Sequence, residues 1–112
     1  MNVFALPSLH REARSIERRL ETEHAGFGPA FTKELQQAIE LVVSTPQLFS
    51  PTEDGPNDAE FREYFIARFN YRLIYAIDGN DLIFVALVHA HQLPGKWTRR
   101  WNEDRERFLN EG

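Results

Sequence analysis

The segment from 71 to 97, which reads YRLIYAIDGNDLIFVALVHAHQLPGKW, constrains the fold more than any other part of the chain. Two runs rich in β-branched and aromatic residues lie on either side of Gly79-Asn80. Glycine and asparagine tolerate the positive φ angles that tight hairpin turns demand. The segment therefore predicts a β-hairpin whose second strand stops before Pro94, because proline cannot donate to a strand ladder.

The hairpin also predicts which side chains share a face. A loop of two or four residues pairs Tyr75 with Phe84 on one face, and Arg72 with Leu87 on the other. Cross-strand partners lie only about 5 Å apart at Cβ, so four polar side chains are predicted to converge at one end of one face. These residues are Arg68, Arg72, His89 and His91. Such a cluster is able to bind phosphate or transfer a proton.

Two further roles are open to the histidines. Histidines at a strand end, such as His89 and His91, often only pack against an aliphatic neighbour and bond to the backbone. They could also bind a metal, since H-x-H places two imidazoles on one side of a strand. His10 and His24 fall on a predicted helix and supply no third ligand nearby, so we expect no metal.

The length and composition limit the class of protein. With 112 residues and no cysteine, the chain predicts a single domain over 1–112 with one core, without disulfides or thiol chemistry. No stretch approaches the roughly 18 apolar residues of a membrane span, and the N-terminus lacks the pattern of a signal peptide. We therefore expect a cytoplasmic protein that needs no membrane and no cofactor.

The net charge of −4 is unevenly distributed. Residues 53–63 contain five acidic residues and one arginine, while the rest of the chain is balanced at 12 basic and 12 acidic. Residues 64–102 hold five basic residues against two acidic ones, a modest local excess of positive charge. Candidate contacts to a target or a nucleic acid are Arg68, Lys96, Trp97, Arg99 and Arg100.

Periodicity along the chain predicts the other elements. Apolar residues recur at helical spacing in two segments that are separated by the Gly/Pro-rich stretch 25–29. The predicted order is a strand (2–6), a helix (8–24), a helix ending before 45–46, a loop (46–59), three antiparallel strands (61–66, 70–78 and 82–91) and a helix (97–109). This order is typical of an α+β domain in which two helices cover one sheet face. The other face then needs the C-terminal helix or a partner chain.

The order of several short motifs resembles the RelE/ParE family of toxins from bacterial toxin–antitoxin systems. The motifs are F-x-x-E-L-x-x-A from Phe31 to Ala38, Y-R-L-I-Y-x-I-D from Tyr71 to Asp78, and H-x-x-x-x-P-x-x-W-x-x-R from His89 to Arg100. The resemblance covers roughly residues 3–100. It implies a two-helix hairpin packed on a small antiparallel sheet, in agreement with the periodicity.

The resemblance implies two different activities. Members of the RelE branch cut messenger RNA on the ribosome, using lysine and arginine on the sheet, whereas members of the ParE branch poison DNA gyrase without a nuclease site. Arg72 matches the family arginine. Glu63 and Phe65, however, stand about where members of the nuclease branch have a pair of lysines. His91 and Gln92 stand where arginines often follow the family histidine. These differences favour poisoning of gyrase over cleavage of messenger RNA as the expected activity.

Two alternatives remain open. A ribosome-dependent endoribonuclease would use Arg72 to stabilise a pentavalent phosphate and His89 or His91 as the acid or base. A toxin-like protein without activity would retain only the fold. If the chain is a toxin, the resemblance implies growth inhibition, a plasmid-stabilisation role and a partly disordered cognate antitoxin. We expect that antitoxin to bind the helix-hairpin groove and the sheet edge in a hetero-oligomer.

Overall fold

The computed structural model describes residues 1–92 and 95–111, with side chains described up to residue 105. The elements are β1 (Asn2–Ala5), α1 (Pro7–Glu23), α2 (Phe27–Ser44), β2 (Ser50–Pro51), β3 (Glu60–Ile66), β4 (Tyr71–Asp78), β5 (Asp81–His89) and α3 (Thr98–Glu111). A 3-10 turn (Ala67–Phe69) joins β3 to β4. The predicted α+β order, with a helix pair, a strand meander and a C-terminal helix, is confirmed. The predicted effect of Pro94 lies outside the described residues.

The five strands form one sheet in the order β1-β5-β4-β3-β2. Strands β3, β4 and β5 form the predicted antiparallel meander, and β1 adds to β5 in parallel. The two-residue strand β2 lies in the predicted loop 46–59 and was not anticipated. Ser50 pairs with Glu63, while Pro51 lies opposite Arg62. Because β2 is an edge strand of the sheet, it tolerates a residue without an N–H group.

The hairpin turn contains two residues, because Asp78 pairs with Asp81. Gly79 adopts a φ of 60°, which a residue with a side chain rarely does. Tyr75 pairs with Phe84, as predicted from the sequence. The turn and the half of the hairpin beside it are therefore confirmed.

Beyond this point the predicted register is wrong. The pairing shifts between Ile74 and Tyr75, since Ile74 lies opposite Ala86 and Val85 is the extra residue of a β-bulge. Arg72 consequently pairs with Val88 rather than with Leu87. One inserted residue moves every later side chain of β5 to the opposite face relative to β4.

Each face of the sheet supports its own apolar cluster. On one face, α1 and α2 bury residues at helical spacing against Leu73, Tyr75 and Phe84. On the other face, Trp97 and Trp101 pack against Phe61 and the apolar residues of β4 and β5. The predicted anchoring role of the two tryptophans is confirmed. The predicted roles of the Phe108 and Leu109 side chains lie outside the described residues.

The helix boundaries follow from local chemistry. Pro7 occupies the start of α1, where a missing N–H group has no helical partner to lose. Gly26 precedes α2 with a φ of 93°, and its N–H donates to the carboxylate of Glu21. Helix α2 ends at Ser44, shortly before Pro46, because proline disfavours helical geometry in the residue that precedes it. Among the described residues, no helix has the length and apolar character needed to span a membrane.

Candidate functional site

Arg72 lies on β4, on the same sheet face as α3, and its side chain is 19% exposed. Its Nη2 atom lies 3.0 Å from Oδ1 of Asp54, and its Nε donates to Oε2 of Glu63. Asp54 belongs to the loop before β3, whereas Glu63 lies on β3 beside β4. Two carboxylates therefore already neutralise the charge of this arginine.

The Asp54 carboxylate also accepts hydrogen bonds from outside the sheet. The backbone N–H of Gly95 and the indole Nε1–H of Trp97 lie 3.1 Å and 3.0 Å from its Oδ2 atom. Burial alone would raise the pKa of Asp54, but the hydrogen bonds from Arg72, Gly95 and Trp97 outweigh burial and hold the pKa below its usual value.

The same contacts act on the arginine in the opposite direction. Burial lowers the pKa of Arg72, but the bonds to Asp54 and Glu63 outweigh burial and raise it above its usual value. Arg72 is thus a permanently charged member of an ion-pair network. A phosphate group would have to compete with two carboxylates for it.

His89 lies on the other side of the sheet from Arg72. His89 pairs with Tyr71 across the hairpin, and the two ring centroids are 5.2 Å apart. The Nδ1 atom of His89 accepts the backbone N–H of His91 at 3.2 Å, and the histidine rings lie 5.3 Å apart. The predicted convergence of these histidines with Arg72 is wrong, because the bulge at Val85 turns His89 toward the helix-pair face.

An arginine from another element takes the place beside Tyr71. Arg19 of α1 donates to the Tyr71 hydroxyl, and its guanidinium carbon lies 6.0 Å from the ring centroid. Sequence reasoning missed this residue because α1 contains four arginines and no local signal distinguishes one that contacts the sheet. Tyr71 is therefore contacted by both Arg19 and His89.

The remaining candidates are dispersed. Arg68 lies in the 3-10 turn, 3.5 Å from Glu34, with its guanidinium carbon 5.1 Å from the ring centroid of Phe69. Trp97 is buried, which places it in the core rather than on a contact surface. The other three candidates, Lys96, Arg99 and Arg100, are exposed. Arg99 pairs with Glu103, and Arg100 contacts Glu12 of α1.

An open groove lies beside the Arg72 network, at the outer edge of β3. Its volume is about 500 Å³, and its lining combines apolar side chains with one ion pair. The lining residues are Leu48, Phe49, Ser50, Glu63, Tyr64, Phe65, Arg72 and Ala90. Leu48 and Phe65 are 73% and 48% exposed, so this edge presents large apolar side chains to solvent. We call this surface the β3-edge groove.

The described residues contain no group of three or more histidine, cysteine, aspartate or glutamate side chains arranged to hold a metal ion.

Comparison with protein families matches residues 6–94 to the ParE toxin of the type II toxin–antitoxin system parDE. The chain belongs to the ParE toxin family. The match ends before α3, so the helix that covers the second sheet face follows the region matched by the family.

A solved structure supports the same fold for this ParE-family chain. A chain of the chromosomal ParDE TA system from P. aeruginosa superposes with a TM-score of 0.61, at 12% sequence identity. The match covers 81% of this chain and 97% of the other. At this identity the likeness concerns the fold alone. Comparison with curated proteins finds no match.

Proposed function

We propose that this ParE-family toxin inhibits growth by poisoning DNA gyrase and is neutralised by a cognate antitoxin. The observation that carries the proposal is the ion pairing of Arg72, the residue that matches the family arginine. Its guanidinium already contacts Asp54 and Glu63. A toxin that acts by binding gyrase requires no free arginine at this position.

The position of the histidines supports the same conclusion. A ribonuclease needs its acid or base and its phosphate-binding cation around one reacting phosphate. Here His89 lies on the helix-pair face with Tyr71, while Arg72 lies on the α3 face with Val88. An mRNA phosphate at Arg72 would have the sheet between it and His89.

The antitoxin is proposed to cover the β3-edge groove. Strand β2 reaches only as far as Ser50, opposite Glu63, so the outer edge of β3 at Phe65 has no strand partner within the described part of the chain. An extended segment that continues β2 would bond to this edge and place an apolar side chain between Leu48 and Phe65. This position is the sheet-edge part of the antitoxin site expected from the sequence.

Expression of the toxin alone tests the choice of target. We expect growth arrest with altered plasmid supercoiling before protein synthesis stops, because a gyrase poison acts first on DNA. The double variant His89→Ala/His91→Ala should remain toxic once its thermal melting shows that it is folded. Early cleavage of messenger RNA that the double variant abolishes would instead establish the ribonuclease. Full growth with soluble toxin would indicate a fold without activity.

A substitution at the sheet edge tests the antitoxin site. Phe65→Lys should weaken binding of the cognate antitoxin, because a lysine ammonium group is poorly accommodated among the apolar side chains of the groove. Val3→Lys is the matched control, since Val3 is an exposed apolar residue on the opposite edge strand β1. Affinities measured by calorimetry should fall at least about tenfold for Phe65→Lys only. Equal affinities for the two variants would place the antitoxin elsewhere.

A further inference from the structure

Three of the four arginines of α1 differ from the other described arginines in their contacts. The structure describes the side chains of ten arginines, and seven of them pair with a carboxylate. The remaining three, Arg11, Arg14 and Arg18, have no ion-pair partner among the described side chains. All three are exposed. We call them the α1 arginine stripe.

The stripe follows one face of the helix. Spacings of three and four residues place Arg11, Arg14 and Arg18 above one another over about 10 Å. Helix α1 contains glutamates that could have paired with them, but these make other contacts. Glu12 contacts Arg100, Glu17 contacts Thr32, Glu21 contacts Gly26 and Glu23 contacts Arg19. The local acidic residues thus leave the stripe available to an outside partner.

A polar groove lies at the N-terminal end of the stripe, between α1 and α3. Its volume is about 440 Å³, and Arg11 and Ser15 of α1 are among its lining residues. Ser8, which also lines it, is 5% exposed, yet its hydroxyl has no hydrogen-bond partner within the described residues. The buried Oδ2 atom of Asp104 in the groove lacks one too. Buried polar groups without partners are costly, so the groove favours an occupant that donates hydrogen bonds.

These two features together discriminate between classes of partner. A phosphate backbone would suit the arginines, but the carboxylate of Asp104 would repel it, and an ionised phosphate has no hydrogen-bond donor to offer that carboxylate. A protein segment can supply carboxylates to the stripe and, a turn away, an amide or hydroxyl donor to Asp104. A helix that runs alongside α1 would repeat its carboxylates at the same spacing as the arginines.

We propose that the α1 arginine stripe and the adjoining α1–α3 groove form a docking surface for an acidic helical segment of a partner protein. The guanidinium groups bind the carboxylates of that segment, and the groove receives a polar donor from its end. This surface is separate from the β3-edge groove, and its occupation does not depend on whether gyrase is the target.

The test uses a defined probe and the intact chain. An alanine-based helical peptide of about 20 residues carries glutamates at spacings of three and four and one asparagine beyond them. It is titrated into isotope-labelled protein while amide chemical shifts are recorded. We expect shifts confined to residues 8–18 and 98–105, which weaken as added salt shortens the screening length to a few ångströms. The same peptide with glutamine in place of glutamate should cause none.

Matched variants establish the role of the arginines. Arg14→Gln and Lys33→Gln each remove one exposed cation without an ion-pair partner in the described structure, and only the first lies on the stripe. Arg14→Gln should weaken peptide binding about threefold, and Arg11→Gln/Arg14→Gln/Arg18→Gln at least about tenfold, with unchanged thermal melting. Lys33→Gln should leave binding unchanged.

Three outcomes would overturn the proposal. One is equal binding of the glutamate and glutamine peptides. Another is full binding by the triple variant while its melting temperature matches that of the wild type. The third is tighter binding of a DNA duplex of about 20 base pairs to the same amides, which would identify a nucleic-acid surface instead.

Discussion

At the scale of single residues, Asp54 joins three parts of the chain that are far apart in sequence. Its carboxylate links the loop before β3 to Arg72 on β4 and to the segment at Gly95 and Trp97 that precedes α3. Each bond is shielded, since the Asp54 side chain is 9% exposed. Charge-assisted hydrogen bonds in such surroundings are stronger than those at the surface.

The substitution Asp54→Asn should therefore destabilise the protein by about 2 to 4 kcal/mol, because it leaves Arg72 with one carboxylate and weakens two further hydrogen bonds. Glu53→Gln makes the same change of charge at the exposed neighbouring residue and should cost less than about 0.5 kcal/mol. Urea unfolding of both variants measures the difference. Equal midpoints would show that the Asp54 network contributes nothing to stability.

The depressed pKa of Asp54 also sets a pH dependence. The folded protein binds this proton less readily than the unfolded chain, whose aspartate pKa is about 3.9. The stabilisation is therefore complete above that value and is lost as the pH falls through the lower folded value. The free energy of unfolding of the wild type should decrease below about pH 4 more steeply than that of Asp54→Asn. Parallel curves would contradict this origin.

Tyr75 makes the stability of the protein depend on pH in the alkaline range. Burial raises its pKa to about 12, against a smaller lowering by Arg62, and its hydroxyl donates to the carbonyl of Pro46 at 2.6 Å. The unfolded chain ionises near pH 10, so stability should fall as the pH rises from about 10 toward 12. Tyr75→Phe should cost about 1 kcal/mol at neutral pH and reduce this alkaline loss. Tyr64→Phe, on the neighbouring strand, is the control that should leave the loss unchanged.

At the scale of elements, α3 covers the sheet face opposite to the one that α1 and α2 cover. Trp101 is buried against Phe61, and its indole N–H lies 3.1 Å from Asp58 Oδ2. Arg105 adds contacts of 2.9 Å to both Asp58 and Asp78. The acidic loop and the hairpin turn thus hold the C-terminal helix in place.

Removal of the Trp101 indole should loosen this helix. Trp101→Ala is expected to destabilise the protein by about 3 to 5 kcal/mol, through lost burial and the cavity that remains. Arg99→Ala changes an exposed residue of the same helix and should cost less than about 1 kcal/mol. Thermal melting, with dye binding to report exposed apolar surface, distinguishes them. A Trp101→Ala variant as stable as Arg99→Ala would mean that α3 does not protect the sheet.

The hairpin shows how far local sequence predicts an element. The Gly79-Asn80 turn and the pairing of Tyr75 with Phe84 follow from turn chemistry and alternation, which act within a few residues. The bulge at Val85 has no such signal, because a β-branched apolar residue suits a regular strand equally well. Its consequence is large, since it separates His89 from Arg72.

At the scale of the whole molecule, the family is easier to predict than the site. The order of the motifs along the chain resembles the RelE/ParE family, and the match of residues 6–94 to the ParE toxin confirms it. The ion pair between Arg72 and Asp54 could not be predicted, because Asp54 lies in a loop eighteen residues earlier in the chain. Contacts of this kind depend on how the acidic loop packs against the sheet, which no local pattern encodes.

Three surfaces of the folded molecule differ in polarity and exposure. The α3 face is closed by tryptophans, the β3-edge groove is apolar and open, and the α1 arginine stripe is basic and exposed. Such separation supports the proposal that the protein acts by binding partners. A single assembled reaction centre would instead concentrate its polar groups in one cleft.

We propose that this toxin acts on gyrase without using Arg72 and the histidines as a nuclease site. The most direct measurement incubates the purified protein with gyrase, ATP and relaxed plasmid, and follows supercoiling and cleaved DNA on a gel. We predict loss of supercoiling and accumulation of cleaved DNA, to the same extent for the wild type and for His89→Ala/His91→Ala. Unimpaired supercoiling at a large excess of folded toxin, together with cleavage of messenger RNA on purified ribosomes, would contradict the claim.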